Sequence, residues 1–226
     1  MITSHIPVIT IDGPAASGKG TLALGLAQAL GFYYLDSGAL YRVVALAAQH
    51  SGIAGDDSAA LGVLAGHLEV EFRDGQVLLA GESVGDAIRA EGISSAASRI
   101  AAHLEVREAL LERQRNFRRA PGLVAEGRDM GTVVFPDAAL KVFLTASADA
   151  RAERRYKQLK EKGLGANIED LLQEILERDA RDRSRVNAPL KPAVDAFMLD
   201  TTELSIDQCI ERVLTLWRDL NKVKSN

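Results

Sequence analysis

Only one cysteine, Cys209, occurs in the 226 residues. A lone thiol excludes an intramolecular disulfide framework and a multi-cysteine zinc site. It stands among Ile206, Ile210, Val213 and Trp217 at helical spacing, which points to a buried structural thiol. No run approaches the roughly 20 apolar residues that span a bilayer, and Met1 to Val8 lacks the basic start and apolar middle of a signal peptide. The expectation is therefore a cytoplasmic chain with no membrane partner. Net charge is −4, so there is no diffuse positive field to attract nucleic acid. Internal repeats, low-complexity segments and flexible linkers are absent. The four histidines, His5, His50, His67 and His103, are scattered, so no nucleophilic triad forms and no general base stands out.

What is present begins directly after the apolar run Pro7 to Asp12. There the chain reads Gly13-Pro14-Ala15-Ala16-Ser17-Gly18-Lys19-Gly20-Thr21, a glycine-rich loop with a lysine in the P-loop position. Backbone N–H groups of such a loop and of the following helix N-terminus converge on an oligophosphate, while Gly18 and Gly20 permit close approach. Lys19 adds a positive charge for the outer phosphates. Gly20 displaces the usual hydroxyl residue by one place, to Thr21. This ending resembles nucleoside monophosphate kinases more than switch GTPases.

Strand-like and helix-like stretches alternate: strands at Val8–Asp12, Phe32–Leu35, Leu123–Glu126, Leu140–Thr145 and Ala196–Leu199, and helices at Gly18–Leu30, Ala39–His50, Ser94–Phe117, Ala148–Lys162, Ile168–Arg185 and Ser205–Leu220. The pattern predicts an α/β fold, a parallel sheet flanked by helices, with ligands at the carboxyl ends of the strands. One interruption breaks it. Leu68 to Arg73 alternates apolar and charged residues, Asp74-Gly75 makes a turn and Gln76 to Leu79 returns, which predicts an antiparallel hairpin in a small inserted lobe of about residues 61–95.

Polar residues fall at the expected strand ends. Asp36, Ser37 and Arg42 follow the second strand, where Asp36 or Ser37 either serves a ligand or caps the next helix. Glu126-Gly127-Arg128-Asp129-Met130-Gly131-Thr132 follows the third. Farther on, Arg178, Arg181 and Arg185 fall within roughly 60° of one another on a helical wheel, with Asp182 beside them. Like charges on one face repel, so the group makes better sense opposite an anion. Arg151, Arg154 and Arg155 repeat the pattern one helix earlier, where Asp149, Glu153 and Glu161 leave an ordinary solvated face as the other reading.

Taken together these segments resemble the bacterial cytidylate kinases. The likeness runs nearly end to end, through the P-loop, Leu35-Asp36-Ser37-Gly38-Ala39-Leu40-Tyr41-Arg42, Val106-Arg107-Glu108-Ala109-Leu110, Glu126 to Ala138, Glu177 to Arg183 and Leu199-Asp200-Thr201-Thr202. The resemblance implies a P-loop nucleoside monophosphate kinase fold with core about 1–60 and 96–226, an enlarged monophosphate-binding lobe about 61–95 and an arginine-rich helical lid about 148–190. It implies phosphoryl transfer from ATP to CMP or dCMP with Mg²⁺. By carry-over, Gly13, Pro14, Ala15, Ala16, Ser17, Gly18, Lys19, Gly20 and Thr21 hold ATP phosphates, and Arg154 and Arg155 belong to the lid. Arg42, Arg128 and Arg185 hold the acceptor phosphate, with Arg181 in the same cage. Ser98, Arg107 and Asp129 match cytosine-reading positions, Arg178 and Asp182 match sugar contacts, and Asp36 and Ser37 sit at the acceptor mouth. Lys19, Arg128, Arg181 and Arg185 are the catalytic candidates. No protein residue is assigned to a metal, and a monomer is the default.

Ser98 and Arg107, nine residues apart, fall on roughly opposite sides of a straight helix. Both face one base only if the helix breaks between them, near His103, which is either a helix-start or hinge residue or, the favoured reading, an exposed bystander. The rival acceptors are UMP, AMP and shikimate. A nucleotide-dependent switch protein is the rival of a different class, and it would need a positioned water rather than arginines suited to excluding water.

Overall fold

The computed structural model describes residues 6–73, 76–161 and 163–225. By contact density these divide into two units, one of residues 6–35, 117–161, 163–184 and 188–225 and one of residues 36–73 and 76–116 with 185–187.

The first unit is built on a five-stranded sheet. Strands β1 (Val8–Asp12), β2 (Tyr33–Asp36), β6 (Leu123–Gly127), β7 (Leu140–Thr145) and β8 (Phe197–Asp200) lie in the order β2-β6-β1-β7-β8. The pairs β1–β6, β1–β7 and β7–β8 are parallel. Every residue of β1 and β6 is buried, as expected for near-continuous apolar runs covered on both faces. Helix α1 (Lys19–Leu30) turns back along β6 and ends at Gly31, whose φ of +66° closes the last turn onto the Ala27 and Gln28 carbonyls. With α8 (Ile206–Ser225) it encloses a core of Ile9, Ile11, Leu22, Leu26, Val142, Leu144, Val213 and Trp217. Helices α6 (Ala148–Glu161) and α7 (Ile168–Ser184) pack on each other.

The second unit carries α2 (Ser37–His50), α3 (Ser58–His67), α4 (Glu91–Ile100) and α5 (Leu104–Arg115), with a short 3₁₀ turn at Ala87–Arg89. Helix α3, which the hydrophobic pattern did not announce, starts at Asp57, whose side chain accepts from the Ala60 N–H at 3.0 Å. Close approach of α3 to α5 is set by Gly62, where an added Cβ would lie 2.7 Å from the Glu105 Cβ. Strands β3 (Val70–Arg73), β4 (Gln76–Leu79) and β5 (Glu82–Ser83) form the expected antiparallel sheet, extended by the unexpected β5, with Phe72 opposite Val77. The Asp74-Gly75 turn lies outside the described residues.

One expected element is corrected. The long helix over Ser94–Phe117 is two helices, broken at Ala101 to His103. Helix α4 closes with the Ala101 N–H on the Ala97 carbonyl, and His103 takes an extended conformation as the N-cap of α5. Its imidazole Nε2 donates to the Gly55 carbonyl at 2.9 Å, fixing the break in place. His103 is therefore a helix-start residue with a fixed partner, and no bystander.

Candidate active site

The loop after β1 is shaped by backbone conformations that favour close approach. Ala16 holds φ +56° and Gly18 φ +88°, the latter as the N-cap of α1 with no side chain to fill the cap. A helix start of this kind directs its first N–H groups toward an anion. Ser17 Oγ is buried with no hydrogen-bond partner among the described residues, an unusual cost for an interior hydroxyl that an anionic ligand would relieve. Lys19, at the first helical position, is buried and donates from Nζ to the Pro14 carbonyl at 3.1 Å, with Glu126 Oε2 3.9 Å away.

These residues line a cavity of about 340 Å³, together with Thr21, Glu126, Arg154, Arg155, Leu204 and Ile206. That volume suits a small ligand, and the lining combines an anion cradle, two guanidinium groups and apolar wall. Arg154, on α6, reaches the loop after β8, donating to the Thr201 and Thr202 carbonyls and to the Thr201 hydroxyl. Arg155 lies one residue on and faces the same cavity. Arg151 does not repeat their pattern. It is buried and forms a forked pair with Asp179 of α7 at 3.1 and 2.7 Å, while also donating to the Ala15 carbonyl at 3.0 Å. Its role is to fasten α6 to α7 and to the loop.

At the end of β6, Arg128 Nε donates to Asp182 Oδ2 at 2.7 Å across to α7, and a second nitrogen reaches the Gly127 carbonyl. Asp182 is only 1% exposed. Burial is the largest single influence on Arg128 and would lower its pKa, but the charge and hydrogen bond of Asp182, together with the charges of Glu126 and Asp179, outweigh it and hold the guanidinium above its ordinary value. Asp182 thus has an arginine partner that the helical wheel did not suggest. The three-arginine face is corrected as well: α7 ends at Ser184, so Arg185 lies beyond the helix, leaving Arg178 and Arg181 on α7 itself. Arg181 lies 3.9 Å from Glu177.

Asp129 is buried at the start of a π-helical turn, Met130–Val134, in which the Val134 and Phe135 N–H groups reach back five residues. This turn is pinned by Asp12, whose two carboxylate oxygens accept from the Met130 and Gly131 N–H groups at 2.9 and 2.8 Å. Burial pushes the Asp12 carboxyl up to about 7, against the two amide bonds that favour its charged form. Asp12 was not among the expected site residues. Its signal was a carboxylate ending an otherwise apolar strand.

Within the second unit, Asp36 caps α2 by accepting from the Ala39 N–H at 2.9 Å and takes Arg42 on its other oxygen at 2.6 Å. Ser37 is the buried first residue of that helix. Ser98 and Arg107 are both buried, on α4 and α5 respectively. Arg107 donates to the Ala101 carbonyl at 3.2 Å and its guanidinium lies 5.9 Å from the Tyr41 ring centre. Arg185 donates to the Ser98 carbonyl at 3.3 Å, which brings these two candidates together.

Among the described residues no helix is long and apolar enough to cross a membrane. Cys209 is buried as expected, and burial raises its thiol pKa.

Comparison with known proteins gives a consistent result. Among solved structures, a gluconokinase from Sinorhizobium meliloti 1021 superposes with a TM-score of 0.51 at 17% identity over 97% of both chains, a likeness of fold alone. The cytidylate kinase of Burkholderia ambifaria (strain MC40-6) is 60% identical over 216 residues, 96% of this chain and 95% of that one. That of Paraburkholderia phymatum is 60% identical over 214 residues, 95% of this chain and 94% of the other. The family model for cytidylate kinase matches residues 9–219. With a P-loop cavity on a parallel sheet and this match over nearly the whole sequence, the chain belongs to the cytidylate kinase family.

Proposed function

We propose that this chain transfers the γ-phosphoryl group of ATP to CMP, and to dCMP as a second acceptor, in pyrimidine nucleotide metabolism. The observation that carries the reading is that the P-loop, Lys19, Arg154 and Arg155 line one cavity. An oxygen of the CMP phosphate attacks the γ-phosphorus while the bond to the β,γ-bridging oxygen breaks and ADP departs. Such a transfer passes through a loose transition state, so catalysis rests on alignment and charge neutralisation. CMP already carries an anionic nucleophile, and little proton removal is needed.

Residues 13–21 and Lys19 hold the ATP phosphates in this reading, and Arg154 and Arg155 act from an arginine-rich lid of about residues 148–190. Mg²⁺ fits as the companion of ATP. Magnesium ordinarily keeps several waters and binds through phosphate oxygens plus one or two protein groups, and Thr21, exposed in the first turn of α1 on the cavity wall, offers a hydroxyl. Bound there, the ion supplies charge neutralisation at the transferring phosphate. Arg42, Arg128, Arg181 and Arg185 neutralise and orient phosphate oxygens, for which forked guanidinium donors suit better than ammonium. Ser98, Arg107 and Asp129 read the base, Arg178 and Asp182 the sugar, and Asp36 with Ser37 shapes the acceptor entrance. The 61–95 segment belongs to the acceptor-binding lobe. We take the protein as a cytoplasmic monomer acting on small molecules.

The test is an acceptor screen that follows ADP formation with CMP, dCMP, UMP, AMP and shikimate against a control without acceptor. CMP and dCMP should give the highest kcat/KM. Equal rates for CMP and UMP would overturn base reading by Asp129, and acceptor-independent ADP release would favour a nucleotide switch.

A further inference from the structure

Gly20 occupies the place directly after the loop lysine where a hydroxyl residue is usual, and its neighbours account for the glycine. An added Cβ would lie 3.0 Å from Glu126 Oε1 and 3.8 Å from the Tyr34 hydroxyl. Tyr34, on β2, donates to Glu126 Oε1 at 3.2 Å. Glu126, near the end of β6, is 7% exposed, and its other oxygen lies 3.9 Å from Lys19 Nζ. A carboxylate in the wall of a phosphate cavity repels the ligand, so its presence there needs a compensating role. Its charge acts on the Arg128 guanidinium and on Lys19, and of the two the ammonium on a flexible four-carbon stem is the group that most needs direction.

We propose that Glu126, oriented by the Tyr34 hydroxyl, is a positioning residue that holds Lys19 in the geometry required for phosphoryl transfer, and that Gly20 is glycine to leave room for that carboxylate. The proposal rests on the reading of Lys19 as the phosphate-holding lysine. It separates two quantities that a structural residue would move together. Neutralising Glu126 removes a repulsion and leaves nucleotide binding as tight or tighter, yet it releases Lys19 and slows transfer. A role as magnesium ligand would instead weaken binding of the magnesium-loaded nucleotide only.

The experiment compares wild type with Glu126→Gln, Tyr34→Phe, Lys19→Ala and the Lys19→Ala/Glu126→Gln double variant. Calorimetric titration measures ADP binding with and without Mg²⁺, and labelled ATP measures single-turnover transfer to CMP. Glu126→Gln should bind magnesium-free ADP no more weakly than wild type while transfer falls about tenfold or more. Tyr34→Phe should show the same split with a smaller loss. If Glu126 acts through Lys19, the double variant loses no more than Lys19→Ala alone. Transfer by Glu126→Gln within about twofold of wild type, additive losses in the double variant, or weakening confined to magnesium-loaded ADP would each overturn the proposal. Should Glu126→Gln not fold, Tyr34→Phe carries the test, and wild-type transfer by it would overturn the orienting role. Near-wild-type transfer by Lys19→Ala would instead defeat the underlying P-loop reading, a distinct outcome.

Discussion

Asp12 and Asp182 show how much a carboxylate's partners decide its chemistry. Asp12 is held by two backbone amides, yet burial lifts its pKa from 3.8 to about 7. A folded-state pKa above the unfolded one contributes stability that is full below about pH 4 and is lost as pH rises through about 7. Asp12→Asn has no such slope. Thermal unfolding of both proteins at pH 4, 6 and 8 should show the variant gaining on wild type by a few kcal/mol across that range. Parallel curves would contradict the raised value. Asp182 is paired to Arg128, so a substitution there disturbs the arginine as well as any sugar contact. Asp182→Asn keeps the shape, and the weaker neutral hydrogen bond should lower the CMP to dCMP ratio of kcat/KM by about fivefold. If both acceptors decline equally, Asp182 serves only to orient Arg128. Neither partnership was legible in the sequence, because the contacting residues lie 118 and 54 positions away. The P-loop was legible, since its function depends on consecutive residues.

Elements were read most securely where one periodicity covers a whole segment. The strands β1, β6 and β7 are apolar runs closed off by glycine, turn residues or Thr145, and their expected spans match to within a residue. The α4–α5 break escaped the pattern because Ala101-Ala102-His103 contains neither proline nor glycine, and local propensity favours continuing the helix. What stops it is His103, whose bond to the Gly55 carbonyl is made 48 positions away. Only the geometric demand that Ser98 and Arg107 serve one base pointed there. His103→Ala should therefore lower stability by about 1 kcal/mol and raise KM for CMP while leaving KM for ATP near wild type. Equal changes in both constants would mean that the break has no bearing on the acceptor. Helix α3 was missed for another reason: its apolar residues do not gather on one face, and only Leu61 and Ala65 are buried.

At the scale of the molecule, net charge is −4 while arginines crowd the proposed phosphate-handling positions. Bound polyanions offset that local repulsion, so ligands should stabilise the fold by mass action. At 100 times its dissociation constant a nucleotide contributes about 2.7 kcal/mol, which corresponds to a Tm rise of roughly 5–10 °C for a chain of this length. ATP should raise Tm without CMP present, and a nucleotide that leaves Tm unchanged at saturation would be shown not to bind. The antiparallel β lobe was readable from alternation, whereas the grouping of residues 185–187 with 36–116 was not, since no local pattern reports which distant segment a turn after a helix will join.

Cys209 is 3% exposed, and burial raises its thiol pKa. A maleimide needs the thiolate and an open approach; burial disfavours the first, and although Cys209 borders the cavity wall, little of it is reached by solvent. The protein is thus a ready background for optical probes: a cysteine introduced on an exposed face, such as Gln173→Cys on α7, should take one fluorophore per molecule with the native thiol left in place. Dye incorporation into the unmodified protein under native conditions should stay far below one equivalent and reach one only in denaturant.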